Sequence, residues 1–489
     1  MKLGGSATPT SLDSLHRVIQ HRGVWTVFLS ALLVRFVFIL SVPYIPGGDA
    51  TIYDGLAWRL VQGNGYVGSG GISTAAYPIG TSLLLAAIYR IFGHVYFPAR
   101  MVIAVLDSCT AALLFLIARG VLSRPQKSLF PLMSGMIYAL NPGAIYMSAT
   151  LMTEAQFTVL FMAALWLSFR SSSGMHHIPR AIAGKSIVPI SNALLIGVLG
   201  GLMLLIKTVS AVLVGAMGLI VARKARSTER VRCLAIVVCL TGLVVSPWMF
   251  RNWLLSGHVA LDNHAYVTIW GGNAAFPQPI WYEANRDAFD DFEGVLEWDR
   301  NTLAVRKLLD FVRVKPAVFL FYSLRRVGLM LDVDVESFPL AFAYFGLHPF
   351  AKTGSTSGLL QTRPHFIIFA LLPIVARGLL VAGGLVGCLR RFRFPYRNTV
   401  LLLLCVWIIP HSLSWSNSRY LFPMVPVLIL PLAWMLARSP QGSRTSESDL
   451  AVPRSVRVNA ISDLLPSGLL VLALITWIST SVFFVDRIF

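Results

Sequence analysis

The sequence predicts an all-α polytopic membrane protein, and three observations carry that prediction. Hydrophobic residues fill 56% of its 489 positions and charged residues only 13%, where a soluble globule has roughly 25% charged. Mean hydropathy is +0.69. Several apolar runs reach the roughly 18–25 residues that cross a bilayer. A disordered chain and an ordinary soluble enzyme are both excluded by this composition.

Length, flanking charge and chain breakers place a bundle of about eleven membrane helices. The first, 24–43, is interrupted by Arg35 and ends at Pro43-Tyr44-Ile45-Pro46 without a small-residue cleavage site, so it reads as a retained span. The next are 97–118, 129–147, 151–169, 191–206, 208–222 and 231–249, followed by 366–388, 398–412, 418–437 and 466–486. Asn141-Pro142 breaks the third of these runs, and Lys207 separates the fifth from the sixth. Residues 1–437 then form one membrane module, 438–465 a polar Ser/Arg-rich cytoplasmic linker, and 466–489 a terminal membrane helix.

Two long connections, 44–96 and 251–365, are expected on the outer side and to contain interfacial helices. In the first, Asp49 opens a short amphipathic helix with Tyr53, Leu56 and Leu60 on one face, closed by Gly63-Asn64-Gly65. Residues 79–92 are apolar but too short to cross, so they read as an interfacial or re-entrant helix. In the second, 251–273 has alternating and glycine-rich character, 281–299 is acidic and reads as exposed, and 302–332 has helical periodicity with a helix start at Pro316. Arg325-Arg326 in that helix suits a place among lipid head groups.

Charge supports this topology. Lys and Arg exceed Asp and Glu by 19. The excess sits in short loops, such as Arg223, Lys224, Arg226, Arg230 and Arg232, as the positive-inside bias requires. The segment 251–365 holds 11 Lys/Arg against 12 Asp/Glu, a net −1, which leaves +20 for the rest. The basic balance therefore has a topological use and does not indicate a nucleic-acid partner. Five scattered cysteines form no CxxC pair, so neither a disulfide framework nor a zinc site is indicated. P-loop, dinucleotide and GxSxG motifs are absent.

An ionisable side chain inside a span costs on the order of 3 kcal/mol and usually faces a cavity or a partner. The few acids near the membrane are therefore the first candidates. Asp49 reads either as a general base on an acceptor hydroxyl or as a helix N-cap only. Asp54 is assigned a supporting role. Glu154, between two long apolar runs, reads as a ligand for a cation or for substrate hydroxyls, or as a charge favouring a helix N-terminus. Asp107 is read as structural, paired with a cation on a neighbouring span. Lys207, Arg251 and Arg419 each suit snorkelling to a head group; together in one cavity they would bind a phosphate. His264 is a hydrogen-bonding residue or, with Glu154, a metal ligand. A divalent cation is the only cofactor the residues leave open. Tyr53, Tyr77, Trp270 and Asn273 are candidate sugar or acceptor contacts, or interface anchors.

Several motifs occur together: GDATIYDGLAWRLVQGNGY, AYPIGTSLLLAAIYRIFG, NPGAIYMSATLMTEAQF, Lys207, PWMFRNWLLSGHVAL, WGGNAA and SRYLFPMVPVL. In that order, over about 24–437, they resemble the GT-C-type integral-membrane glycosyltransferases. The closer resemblance is to the phospholipid-carrier-dependent branch, related to protein O-mannosyltransferases and the lipid A aminoarabinose transferase. It implies a GT-C-like bundle in the bacterial inner membrane and an active site on the extracytoplasmic side. It also implies an inverting transfer from a polyprenyl-phosphate sugar to a glycan, lipid or protein acceptor. By position, Asp49 matches the catalytic acid of the first outer loop, Glu154 the intramembrane acidic position, and Arg251 the basic residue opening the second loop. Asp49-Ala50 departs from the Asp-Glu pair of some relatives. A transporter or flippase of lipid-linked sugars is the alternative, since charges within spans also line pathways.

Overall fold

A computed structural model describes residues 11–122, 128–173, 187–225, 227–274, 290, 292–331, 367–389, 392 and 394–437. The predicted linker 438–465, the terminal span 466–486 and residues 275–289 of the second connection lie outside the described residues. The described part is helical without a strand; Val67 and Ser73 make one isolated antiparallel bridge.

The helices, in chain order, begin with α1 (Ser11–Ser41), α2 (Asp49–Val61), α3 (Gly80–Phe92) and α4 (Tyr96–Val121). Next come α5 (Phe130–Ala139), α6 (Pro142–Ser148), α7 (Thr153–Ser173), α8 (Ile187–Leu204), α9 (Ala211–Lys224) and α10 (Arg230–Ser256). Two short turns, α11 (Ala265–Ile269) and α12 (Gly271–Ala274), precede α13 (Glu297–Val314) and α14 (Pro316–Leu331). The last described are α15 (Ile367–Gly387), α16 (Arg397–Leu413), a 3₁₀ turn (Ser418–Met424) and α17 (Val425–Ala437).

This is a multi-pass membrane protein. Among the described residues, four helices are each long and apolar enough to cross a bilayer: Arg22–Ser41, Tyr96–Val121, Ser227–Ser256 and Ser418–Ala437. The pair α6 and α7 passes the same test together but is bent by 110°. Length and composition thus secure four or five crossings among the described residues; the eleven expected include 466–486, which lies outside them.

Two breaks fall where the sequence places them, and one helix runs further than expected. Residues 129–147 are not one helix: Pro142 has no N–H to continue the ladder, and Asn141 takes an extended backbone and caps α6, its Oδ1 accepting from Ala144 N at 3.0 Å. Residues 302–332 divide at Lys315 into α13 and α14, with Pro316 as the predicted start. The alternating stretch 251–273 holds no strand; α10 runs through Pro247 to Ser256 and stops at Gly257 (φ 74°), and α11 and α12 follow.

The core forms where α4 packs on α1, α5 and α7, α8 on α7 and α10, and α15 on α17. Small residues permit the tightest of these approaches. A Cβ at Gly201 would stand 2.4 Å from Val244 Cβ, and Thr241 of α10 donates to the Gly197 carbonyl at 3.0 Å. Asp107 is paired as its sequence position suggested. Fully buried Arg35 meets it at 2.6 Å, and Tyr138 donates to its other oxygen at 2.7 Å. The guanidinium also donates to the Ala31 and Ala139 carbonyls, each at 3.0 Å, tying α1, α4 and α5 together.

Candidate active site

Asp49 is the first residue of α2. Gly48 is the cap and Asp49 makes no capping bond, so the N-cap reading fails. Its carboxylate instead takes the Arg419 guanidinium, 370 residues away. Arg419 is the second residue of the 3₁₀ turn, which Asn417 caps: its Oδ1 accepts from Arg419 N at 3.0 Å. The next residue, Tyr420, was overlooked in the sequence although it adjoins Arg419. Its ring has Arg419 Cζ at 5.5 Å and Lys207 Nζ at 5.6 Å from the centroid, both within cation–π range.

Lys207 reaches this place because α8 ends at Leu204 and the chain runs extended there (φ −143°, ψ 111°). Its ammonium pairs with Glu154 Oε1 at 3.0 Å. Glu154 lies in the first turn of α7, 1% exposed. The break at 205–207 is held by α3, where Gly80 N donates to the Leu205 carbonyl at 2.6 Å. Any Cβ at Gly80 would stand 2.6 Å from that oxygen.

Aromatic residues close the other side. Tyr53, one turn beyond Asp49, packs edge-on against Tyr77 with centroids 5.4 Å apart. The Tyr77 ring stacks on His264 at 4.6 Å, and its hydroxyl lies 3.3 Å from Nε2. The cluster therefore joins seven of the expected residues: Asp49, Tyr53, Tyr77, Glu154, Lys207, His264 and Arg419. Its two carboxylates are balanced by two cations.

Burial pushes the Asp49 carboxyl up, but Arg419, aided by His264 and Lys207, more than offsets this and holds it below the usual carboxylate range. Asp49 is thus ionised at neutral pH. Burial also lowers His264, opposed by Asp49, and leaves a neutral ring at pH 7. Tyr53 and Tyr77 are raised, chiefly by burial, and remain phenols. As for a metal, Glu154 faces Lys207 and His264 faces Tyr77. No group of three or more His, Cys, Asp or Glu is placed to hold an ion among the described residues.

The remaining candidates lie in other contacts. Arg251 donates to the Thr74 carbonyl at 2.7 Å and the Tyr66 carbonyl at 2.9 Å. Trp270 carries Lys307 Nζ 5.1 Å above its ring and lines a 310 Å³ recess with Phe311 and Lys315. Asn273 is buried and ties α12 to its surroundings, donating to the Leu413 carbonyl at 3.1 Å and accepting from Arg326 at 2.7 Å. Arg326 is thus not a head-group contact; it is 3% exposed and also binds the Ser412 carbonyl at 2.9 Å. Asp54, given a supporting role, accepts from Tyr89 at 2.7 Å and meets His94 Nε2 at 2.8 Å. The His94 ring stacks on Trp58 at 4.6 Å.

Fold and site together define an all-helical, multi-pass membrane protein in which two ion pairs from four distant segments meet around a tyrosine. No protein-family model matches the chain, and no curated protein does. Among solved structures, it is similar to the archaeal oligosaccharyltransferase AglB from Archaeoglobus fulgidus in complex with an inhibitory peptide and a dolichol-phosphate. Identity is 14% over 94% of this chain and 55% of that one, with a TM-score of 0.47. It is also similar to ArnT from Cupriavidus metallidurans bound to undecaprenyl phosphate, at 14% identity over 91% of this chain and 84% of that one, TM-score 0.40. Both are GT-C glycosyltransferases, the class the motifs resemble. The chain spans about half the length of the oligosaccharyltransferase.

Proposed function

We propose that the protein transfers a hexosyl or pentosyl group from a polyprenyl-phosphate sugar to an acceptor hydroxyl on the extracytoplasmic face of a bacterial inner membrane, with inversion. The observation that carries this reading is the Asp49–Arg419 pair set beside the Glu154–Lys207 pair, with Tyr420 between the cations. A transferase of this kind needs an ionised base for the acceptor and cations for the departing phosphate, close together.

The acceptor oxygen attacks the anomeric carbon, forming the new glycosidic bond as the C1–O(phosphate) bond breaks. The acceptor proton passes to Asp49. The carrier leaves as polyprenyl phosphate with one further negative charge, which Arg419 and Lys207 stabilise as it builds. One carboxylate suffices because phosphate leaves without a proton. The Arg419 contact has a further use. While it holds Asp49, it keeps the carboxylate ionised but weakly basic. A donor phosphate competing for the guanidinium raises the basicity of Asp49 when the acceptor is to be deprotonated. Glu154 holds Lys207 in place, and Tyr53, Tyr77 and His264 form the wall against sugar or acceptor.

Purified protein in lipid vesicles with radiolabelled polyprenyl-phosphate sugar tests the reading. Transfer gives a labelled glycosylated product. Movement of intact donor between leaflets without product would instead identify a flippase.

A further inference from the structure

We infer that Arg251 and Glu297 are positioning residues that clamp the first long connection from two sides, and that Arg251 does not bind the donor phosphate. This rests on the transferase reading above.

The sequence puts Arg251 at the end of an apolar run, where a phosphate ligand would suit. In the structure both terminal nitrogens of its guanidinium are engaged by the protein itself. Nη1 binds the Thr74 carbonyl at 2.7 Å and Asn252 Oδ1 at 2.9 Å, and Nη2 binds the Tyr66 carbonyl at 2.9 Å. Its plane lies over Trp248, 4.8 Å from the ring centroid, and 5.9 Å from that of Tyr66. A planar fork satisfies two carbonyls eight residues apart in one rigid geometry, which an ammonium cannot reproduce.

Glu297, at the start of α13, grips the same loop from the other side. Its carboxylate accepts from Thr74 Oγ1 at 2.9 and 3.0 Å and from Ala75 N at 2.9 Å. Asn263 N donates to the Ala75 carbonyl at 2.8 Å. Thr74 and Ala75 are therefore held by three separate segments. Two residues further on is Tyr77, whose ring sets the wall against Tyr53 and His264. The clamp thus fixes the aromatic wall one helical turn from Asp49. A shift of about 1 Å at such a wall can lower turnover roughly a hundredfold without changing binding of the distal part of a substrate.

The phosphate-ligand and clamp roles give opposite results. Arg251→Lys keeps the positive charge but loses the fork, and Glu297→Gln removes a negative charge that would, if anything, oppose a bound phosphate. For both variants we expect turnover to fall at least about tenfold, with donor affinity within about twofold of wild type, measured by equilibrium binding of labelled polyprenyl-phosphate sugar in detergent. The double variant should lose little more than either single one, because both act on one loop. Thermal unfolding of each purified variant is measured alongside, and turnover is referred to folded protein. The clamp is overturned if Arg251→Lys turns over as wild type, if Arg251→Met weakens donor binding tenfold or more, or if Glu297→Gln has full turnover. Wild-type protein that makes no product would defeat the transferase reading instead, a separate outcome.

Discussion

Replacing Lys207 by Met removes the ammonium that faces Glu154 while keeping most of the aliphatic stem. The carboxylate left behind is 1% exposed. At the 3.0 Å separation of this pair, two unit charges attract by about 5.5 kcal/mol at an effective dielectric near 20. Part of that offsets desolvation, and removing one partner of a buried pair typically costs about 3–5 kcal/mol. We expect Lys207→Met to lose about 3 kcal/mol of unfolding free energy. Adding Glu154→Gln removes the stranded charge and should recover at least about 2 kcal/mol, a coupling that a double-mutant cycle isolates. The assay is reversible denaturant unfolding in mixed micelles, followed by tryptophan fluorescence. The double variant should regain stability without regaining transfer, since the phosphate has lost a cation. A Lys207→Met protein within about 1 kcal/mol of wild type, or a double variant whose losses simply add, would refute the reasoning.

Other perturbations give distinct readouts. Gly80→Ala forces a Cβ to within 2.6 Å of the Leu205 carbonyl, so it should cost about 1–3 kcal/mol and displace Lys207, lowering turnover; unchanged melting and turnover would contradict the close approach. Asp107→Asn leaves Arg35 fully buried beside a neutral partner, so the folded yield on gel filtration should drop by an amount reflecting about 3 kcal/mol or more, while turnover per folded molecule stays at the wild-type value. His264 resists protonation in the folded state. The unfolded chain therefore binds more protons in that range, and stability should hold above about pH 6.5 and fall as pH drops through the lower folded value. A His264→Gln protein should lose that dependence in melting curves. Asp49 behaves differently: its depressed pKa adds stability that is present above the unfolded value of about 3.9 and lost as pH falls through the folded one. The decline that begins as pH falls below about 6.5 should therefore persist in Asp49→Asn, and deepen, because the carboxylate that opposes the lowering of His264 is gone.

Much of the site was legible because charge is costly in apolar surroundings. Asp49 and Glu154 stand out because acids are scarce near the membrane, and Lys207 because it interrupts an apolar stretch, whereas Arg419 reads like Arg251. Their pairing was not legible: Asp49 meets a residue 370 positions away and Glu154 one 53 away. Partners that act through backbone carbonyls leave no sequence signal, which is why the contacts of Arg251 and Arg326 could not be read in advance. Glu297 was hidden in an acidic stretch that reads as exposed, although its carboxylate gathers bonds from Thr74 and Ala75. Helix breaks were clearer. Asn141-Pro142 and Pro316 act through local backbone chemistry, so their effects could be read directly.

The central claim is that Asp49 takes the acceptor proton in the transfer step. Asp49→Asn keeps the size of the side chain and removes the base. In a single-turnover experiment with labelled polyprenyl-phosphate sugar and protein in excess, the variant should bind donor at least as tightly as wild type, because no carboxylate competes for Arg419, and form no glycosylated product. Product formed at the wild-type rate would contradict the account.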